Sequence, residues 1–586
     1  MGLVVSGCGD TPQLGAASPW PDASTSASDE ETTEGAVDPQ RREPAADREG
    51  AGGESGVRPT ELPPPIGPHF VEVTEAAGLD YDPGELLPPP FCLFDDINWP
   101  GPGDYCTPER YLGGAAVGDF DDDGWPDLYV VRKGGPGLLF HNDGDGSFSD
   151  ETETRGLVHD SISGGAAWLD IEGDGDLDLM LTGFGTLRHF LYVNDGTGSF
   201  EEQAQPRGAA VETGLIHVGT SIGVGDYDLD GYLDMFVADW RAAQILGKEL
   251  DHNRLLHNRG AEAPGYFEDV TSQMGIVMQG QSQWTASGPG AFGFAPAFVD
   301  LDGDHWPELS IAADYGSSRL FWNDGAGGFV DGTLASGVSN NAHGMGSTFG
   351  DYDADGDLDW FISAIWFPDG PEGNRLYRND GARTFTESTD DVGVRDGGWG
   401  WGAAFFDADH DGDLDLGLAS GWPSTNFDDD PLRLWLNQDE HPWREAAEPM
   451  GIDYRGYGRG LVPLDYDRDG DLDLLVLGNT EPAALYRNDG AKAPWLTVRA
   501  TGQPHNPRGI GAEVRVQTQP GGSWQLRHIG VGSHLFGQQD AVAHFGLGNQ
   551  TTEVHRVEVL WPATGRHAEL HHVPIDSALV VSHDRP

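Results

Sequence analysis

Basic residues are scarce in this chain. Only 33 Lys and Arg stand against 97 Asp and Glu over 586 residues, a formal net charge of −64. A surface so acidic argues against nucleic acid and anionic membrane as partners, because both repel it. Long apolar runs are missing as well. No run reaches the roughly eighteen apolar residues of a membrane-crossing helix. Large apolar side chains are almost absent from residues 9–66, which are rich in Pro, Ser, Thr, Ala, Gly, Asp and Glu. That composition cannot bury a core, so the segment is read as a disordered acidic linker. Cysteine occurs three times, at Cys8, Cys92 and Cys106.

The three cysteines carry two expectations. Cys92 and Cys106 share one predicted loop, and a disulfide between them suits an oxidising, extracytoplasmic compartment. Val5-Ser6-Gly7-Cys8 resembles a lipobox, with Cys8 as the lipidated residue. Residues 1–8 are read as the remnant of a lipoprotein signal, without its charged n-region and most of its apolar h-region. The protein is then secreted or lipid-anchored on a bacterial envelope, and touches membrane only through that anchor.

What the chain has in quantity is one repeated phrase. Gly113–Val131, GGAAVGDFDDDGWPDLYVV, joins a small-residue run, an acidic turn and an apolar run. The turn places Asp119, Asp121, Asp123 and Asp127 at positions 1, 3, 5 and 9 of a nine-residue loop. Calcium takes about six to eight oxygen ligands, and closely spaced carboxylates with a backbone carbonyl supply them. Gly124 permits the sharp bend. Without a cation the carboxylates would repel one another strongly.

Six further copies follow. They are Asp170/Glu172/Asp174/Asp178, Asp226/Asp228/Asp230/Asp234 and Asp300/Asp302/Asp304/Glu308. The last three are Asp351/Asp353/Asp355/Asp359, Asp407/Asp409/Asp411/Asp415 and Asp465/Asp467/Asp469/Asp473. Seven copies in phase with strand patterns predict several structural Ca²⁺ ions. Seven such ions would leave the chain at about −50, still strongly acidic. In the fourth copy His305 replaces the glycine and Glu308 the last aspartate, so this site is expected to be the weakest.

Two more phrases keep the same period. A short apolar strand ends in Asn, usually Asn-Asp-Gly, which signals a tight hairpin. A Phe-x-Asp/Glu-x-Thr strand follows it. Each period of about 50 residues thus holds four strands, the unit of a propeller blade. Phe70–Thr74 is a fourth strand left over at the start, and the seventh period lacks one. Pairing Phe70–Thr74 with the strand around Leu485–Arg487 would close the ring and leave no free edge.

At this point a resemblance is plain. Residues 113–490 resemble FG-GAP (VCBS-type) repeats, as in integrin α-subunit propellers. The tail resembles the ASPIC/UnbV domain through Trp495-Leu-Thr-Val, Asn506-Pro-Arg-Gly-Ile-Gly-Ala512, His544-Phe-Gly-Leu-Gly548 and Val557-Glu-Val-Leu-Trp561-Pro562. Together they resemble the cartilage acidic protein family, which implies calcium binding and extracellular interaction without established catalysis. The expected fold is all-β: a seven-bladed propeller over residues 67–490, then a small β-sandwich over 491–586. The sandwich follows from short alternating strands in the tail.

Other motifs have plainer readings. Gly219-Thr-Ser221-Ile-Gly223 matches the GxSxG nucleophile elbow, but that elbow needs a strand-to-helix turn. Here the motif occupies an innermost strand. His567 and His571 have HxxxH spacing, yet on a strand they would lie roughly 13 Å apart, too far for one ion. His544 is expected to pack or to bond a turn.

Strand order sends the acidic loops to one face and five unusually long connections to the other. The long connections carry aromatics, among them Trp240, Trp284, Trp366 and Trp422. Such rings form either a binding surface or a plug for the central channel. The acidic-loop face is expected to have short turns and little shape. The leading expectation is a monomeric binding or adhesion module, its protein or glycan ligand on the long-loop face. A polysaccharide lyase or hydrolase using that face, or a purely structural surface protein, are the alternatives.

Overall fold

The computed structural model describes residues 69–584 apart from 85–110, 159–160, 215, 242–251, 277, 279–290, 369, 425, 439–440, 491–492 and 532–534. Cys8, Cys92, Cys106, Trp284 and the linker before residue 69 therefore lie outside the described residues.

Small residues set the innermost strands, and the packing gives the reason. A Cβ on Gly165 would sit 2.1 Å from the Thr220 carbonyl oxygen, and one on Gly346 2.1 Å from that of Trp401. First strands of neighbouring blades thus meet backbone to backbone, where only glycine fits. Blade one then runs outward through Gly114–Gly118, Asp127–Val131, Leu138–Asn142 and Phe148–Asp150. The described residues form seven such blades.

Blade seven takes its first three strands from Gly458–Leu464, Asp473–Gly478 and Ala484–Asn488. Its fourth is Phe70–Glu72, in the register Phe70↔Asn488, Val71↔Arg487, Glu72↔Tyr486. The expected closure is therefore present. A hydroxyl clip secures it, the Leu485 amide donating to Thr74 Oγ1 at 2.8 Å. The same clip recurs where the Phe-x-Asp-x-Thr phrase is intact, as Leu139 to Thr152 and Leu320 to Thr333. Blades three and four share an extra seam, since Asp234–Arg241 runs on to pair Trp240↔Phe292 and Arg241↔Ala291 with Ala291–Val299.

The tail folds as two facing sheets. One contains Ala543–Gly546, Trp495–Thr501 and Ser577–Ser582, the last two parallel. The other contains Gln525–His528, Glu513–Gln517, Val554–Trp561 and Arg566–Val573. Between them lie Leu496, Val514, Phe545, Val557 and Trp561, all buried.

This domain sits on the acidic-loop face, which corrects the expectation of a plain surface. Arg508 Nη2 donates to Asp122 Oδ1 (2.6 Å) and to the Asp119 and Gly175 carbonyls. The His505 ring stacks on Tyr232 at 4.2 Å. His544 Nε2 lies 2.8 Å from the Gly470 carbonyl, so it bonds a turn as expected.

The segment Leu535–Gln538 goes further and fills the channel. The Gln538 amide donates to the Ala115 carbonyl and its carbonyl accepts from Val117, alongside the first strand of blade one. Gln538 Oε1 accepts from the Trp168 amide. The Phe536 amide donates to Ser221 Oγ at 2.8 Å. Ser221 is thus a buried acceptor on an inner strand, which accounts for the GxSxG match.

Candidate functional site

Each acidic loop lies between the first and second strands of its blade, and the seven share one backbone design. Positions 4 and 6 are left-handed in every copy. In the first, Asp122 has φ 59° and Gly124 95°; in the last, Arg468 has 58° and Gly470 96°. His305 adopts the same turn at φ 74°. It bends as the glycines do, at the cost of a conformation that a side chain disfavours.

The carboxylates divide their work by position. At position 9 both oxygens are held by backbone amides: Asp127 accepts from Asn142 (2.8 Å) and Phe120 (3.1 Å). Asp415 accepts likewise from Asn437 and Ala408, each at 2.8 Å. At position 1 one oxygen accepts the amide of position 6, as Asp465 Oδ2 does from Gly470 and Asp226 Oδ2 from Gly231. In four loops the other oxygen is left over, whereas in Asp170, Asp300 and Asp351 it too accepts backbone amides. Oδ1 of Asp119, Asp226, Asp407 and Asp465 is buried with no hydrogen-bond partner.

Position 5 is the exposed member of each loop. Asp174, Asp304, Asp355 and Asp411 are exposed, as are Asp123, Asp230 and Asp469, and in the fifth loop Asp353 at position 3 is exposed too. The cause is the backbone. Left-handed residues on either side put position 5 at the tip of the turn, where its carboxylate faces water. One oxygen there closes the turn by accepting the amide two residues on. Asp174 accepts from Asp176 (3.2 Å), Asp304 from Trp306 (2.9 Å), Asp355 from Asp357 (3.0 Å) and Asp411 from Asp413 (3.0 Å). Asp123 and Asp469 do the same with Trp125 and Asp471. The regular spacing showed that a carboxylate stands at position 5, but not that it is a turn-former with a solvated second oxygen.

Burial without a counter-charge raises the inner carboxyls. Asp119 and Asp170 are pushed up to about 6, and Asp351 and Asp465 to about 7; burial is the largest cause in each. Asp127, Glu308 and Asp359 go to about 9, again mainly by burial. Asp119, Asp121 and Asp127, and likewise Asp226, Asp228 and Asp230, bring ligand oxygens within 4.8 Å of one another. Buried, unpartnered, all-oxygen donor sets suit a hard divalent cation. Some loops also meet protein cations. Arg155 lies 3.1 Å from Asp121, Arg207 2.5 Å from Glu172, and Arg383 pairs with Asp302.

The sequence reading missed the role of the recurrent Asn, taken only as a turn residue. Its side chain staples each blade to the acidic loop of the blade before. Asn194 Nδ2 donates to the Phe120 carbonyl, Asn379 to Leu301 and Asn488 to Ala408. Asn142 reaches Tyr466 of blade seven at 2.9 Å, stapling the ring shut. The signal was its recurrence at the end of the third strand in every blade; its partner in the preceding blade is not visible in local spacing.

The long-loop face corrects the ring expectation. Trp240 and Trp422 are 3% and 7% exposed, and they pack in one cluster with Leu112, Phe294, Trp401 and Phe536. Tyr111 stacks on Trp422 at 5.7 Å, and the buried Arg459 guanidinium lies 4.3 Å over the Trp401 ring. These rings cap the channel that Phe536 fills from the other side. Trp366 is half-buried on that face, as are Phe367 and Trp399. His567 and His571 lie on one strand, Arg566–Val573, as expected.

Family models agree with this architecture. An FG-GAP-like repeat model matches residues 119–181, 170–237, 300–362 and 363–418. A model described as ASPIC and UnbV matches 502–586. Cartilage acidic protein 1 of Homo sapiens is 25% identical over 496 residues, covering 79% of this chain and 70% of that protein. Its Mus musculus counterpart is 26% identical over 494 residues, covering 79% and 72%. Among solved structures, an Agrocybe aegerita lectin that recognises non-reducing terminal N-acetylglucosamine covers 66% of this chain and 90% of its own, at TM-score 0.36 and 16% identity. A GH74 enzyme of Niastella koreensis covers 81% and 67%, at TM-score 0.34 and 13% identity.

Proposed function

We propose that this chain, a protein of FG-GAP-like repeats ending in an ASPIC and UnbV domain and homologous to cartilage acidic protein 1 over most of its length, is an extracytoplasmic binding or adhesion module stiffened by calcium. The observation that carries the calcium reading is the set of buried, unpartnered position-1 oxygens in loops of one geometry. An ion there would be ligated from within by positions 1, 3 and 9 and by the position-7 carbonyl. The exposed position 5 would add its second oxygen from the solvent side. The fourth loop would hold the ion least tightly, because His305 must keep a left-handed turn.

The ligand, a protein or a glycan, docks on the long-loop face. Coverage of the opposite face by the terminal domain supports this, since that face is already occupied by this chain itself. With Trp240 and Trp422 buried, the side chains for stacking are the half-buried Trp366, Phe367 and Trp399. Aromatic surfaces of this kind suit sugar faces and protein hot spots.

The test is paired. The melting temperature in millimolar calcium should exceed that in EDTA by several degrees, as for any ligand that binds only the native state; equal curves would sink structural calcium. Binding to a glycan array or to extracellular proteins should be lost in the Trp366→Ala, Trp399→Ala double variant at unchanged fold. Retained binding would remove the long-loop face from consideration.

A further inference from the structure

Opposite the acidic loops, between blades two and three, three histidines and one aspartate meet in the interior. His189 precedes the strand Phe190–Asn194, His217 leads into Gly219–Gly225, Asp239 lies in Asp234–Arg241, and His252 precedes Arg254–Asn258. None is more than 1% exposed. His217 Nδ1 is 2.9 Å and His252 Nδ1 3.9 Å from Asp239 Oδ2. One ligand atom from each of these three residues lies within 4.8 Å of the other two.

The outward nitrogens are already anchored. His217 Nε2 faces the Val211 carbonyl at 2.9 Å, and His252 Nε2 faces Thr213 Oγ1 at 3.4 Å. Each Nε2–H can therefore donate outward while its Nδ1 lone pair turns toward Asp239. Metal-bound imidazoles are held in this way, by a carbonyl or hydroxyl behind the ring. Two further buried atoms have no hydrogen-bond partner: Asp239 Oδ1 and His189 Nε2. His189 Nδ1 accepts the Gly183 amide at 2.9 Å, so Nε2 carries the ring proton. Its ring lies 4.3 Å from that of His217.

An ion pair between protonated His217 and Asp239 would account for the 2.9 Å contact. It would leave the second carboxylate oxygen and the His189 N–H buried and unpaired, which native interiors rarely tolerate. A cation beside Oδ2, the oxygen nearest both imidazoles, takes Oδ1 as well when the carboxylate binds it through both oxygens, and an oxygen completing the coordination would offer His189 Nε2–H an acceptor. We propose that His217, Asp239 and His252 form a site for one divalent transition-metal ion of the zinc class, separate from the acidic loops and tying together the ends of the first three strands of blade three. Two imidazoles and one carboxylate suit zinc, whereas calcium wants a shell of oxygens. The two ion types would thus sort themselves between the two faces of the ring.

The full-length protein, stripped with EDTA and returned to millimolar calcium to fill the loops, would be titrated with Zn²⁺ against a chromophoric chelator. One ion per chain should bind, and Asp239→Asn should weaken it by at least about tenfold, in line with losses at metal sites. Exposed His571 and His572 are the competing zinc ligands, so the His571→Ala, His572→Ala variant should bind as the parent does. Co²⁺ added to the parent should give the visible absorption of a tetrahedral site, a readout that needs no variant. If Asp239→Asn does not fold, His252→Gln takes its place. No zinc binding by the parent, or binding lost with the tail histidines and kept in Asp239→Asn, overturns the proposal.

Discussion

At the scale of single residues, the position-9 carboxylates hold the fold as well as an ion, whereas the position-1 carboxylates chiefly hold the ion. Asp359 accepts the amides of Asn379 and Tyr352 with or without metal. Asp359→Ala would strand both donors, and each buried unsatisfied group costs about 1–3 kcal/mol. We expect a loss of about 2–4 kcal/mol in EDTA and a larger one in calcium, where a ligand to the ion is lost as well. Asp465→Asn, at position 1 of the seventh loop and with Oδ1 unpartnered, should lower the melting temperature in calcium and leave it level or higher in EDTA, because it removes a buried charge. Thermal melts of both variants in both buffers decide this.

The raised carboxyls also fix the sign of the pH dependence. Within one loop the titrations are coupled and belong to the cluster. Asp351 and Asp465 sit at about 7 and Asp127 and Asp359 at about 9, mainly through burial, whereas unfolded aspartates titrate near 3.8. A folded-state value above the unfolded one stabilises at low pH, and that stabilisation is lost as pH rises through the folded value. The metal-free protein should therefore melt at lower temperature as pH goes from about 5 to about 9. With calcium bound the trend should reverse at the acid end, since protons compete with the ion. A flat EDTA profile over that range would show that these groups are not protonated in the fold.

Rings follow another rule. Trp422→Ala should cost about 3–5 kcal/mol as a buried aromatic truncation, and Trp366→Ala far less. The carboxylates were legible in the sequence because their spacing is local and repeated sevenfold. Their unequal exposure was not, because the turn that lifts Asp174 or Asp355 into water is a matter of backbone angles rather than of spacing. Burial of Trp240 and Trp422 was hidden for a different reason: it depends on Tyr111, which meets both rings from more than a hundred residues earlier in the chain.

At the scale of strands, closure could be read by counting. One Phe-x-Glu-x-Thr strand was spare at the start and one was missing at the end, and the register Phe70↔Asn488 joins them. Removing residues 1–66 should leave the melting temperature unchanged. Removing 1–80 deletes the strand and Thr74, bares the edge of Ala484–Asn488 and should cause aggregation in size-exclusion chromatography. A stable monomer from the longer truncation would mean that closure contributes little. The seam at Trp240↔Phe292 was not legible, since the pairing residues fall in connections with no repeat to align them.

At the scale of the whole molecule, the tail's pattern of short alternating strands predicted its two sheets but not where they dock. Docking rests on scattered contacts such as Arg508 on Asp122, His505 on Tyr232 and Leu535–Gln538 in the channel. No periodicity announces any of these. Deleting residues 491–586 should uncover the inner strands, raise binding of a hydrophobic dye and lower the melting temperature even in saturating calcium. If the truncated ring melts as the parent does, the channel segment is only an occupant.

The clip between Thr74 and Leu485 joins residues 411 positions apart. On a ribosome adding about 5–20 residues per second, the first strand waits roughly 20–80 s for its partner. Until then blade seven has no outer strand and the channel has no filling. The chain therefore matures almost at once near its end, and the interval before that belongs to chaperones and proteases.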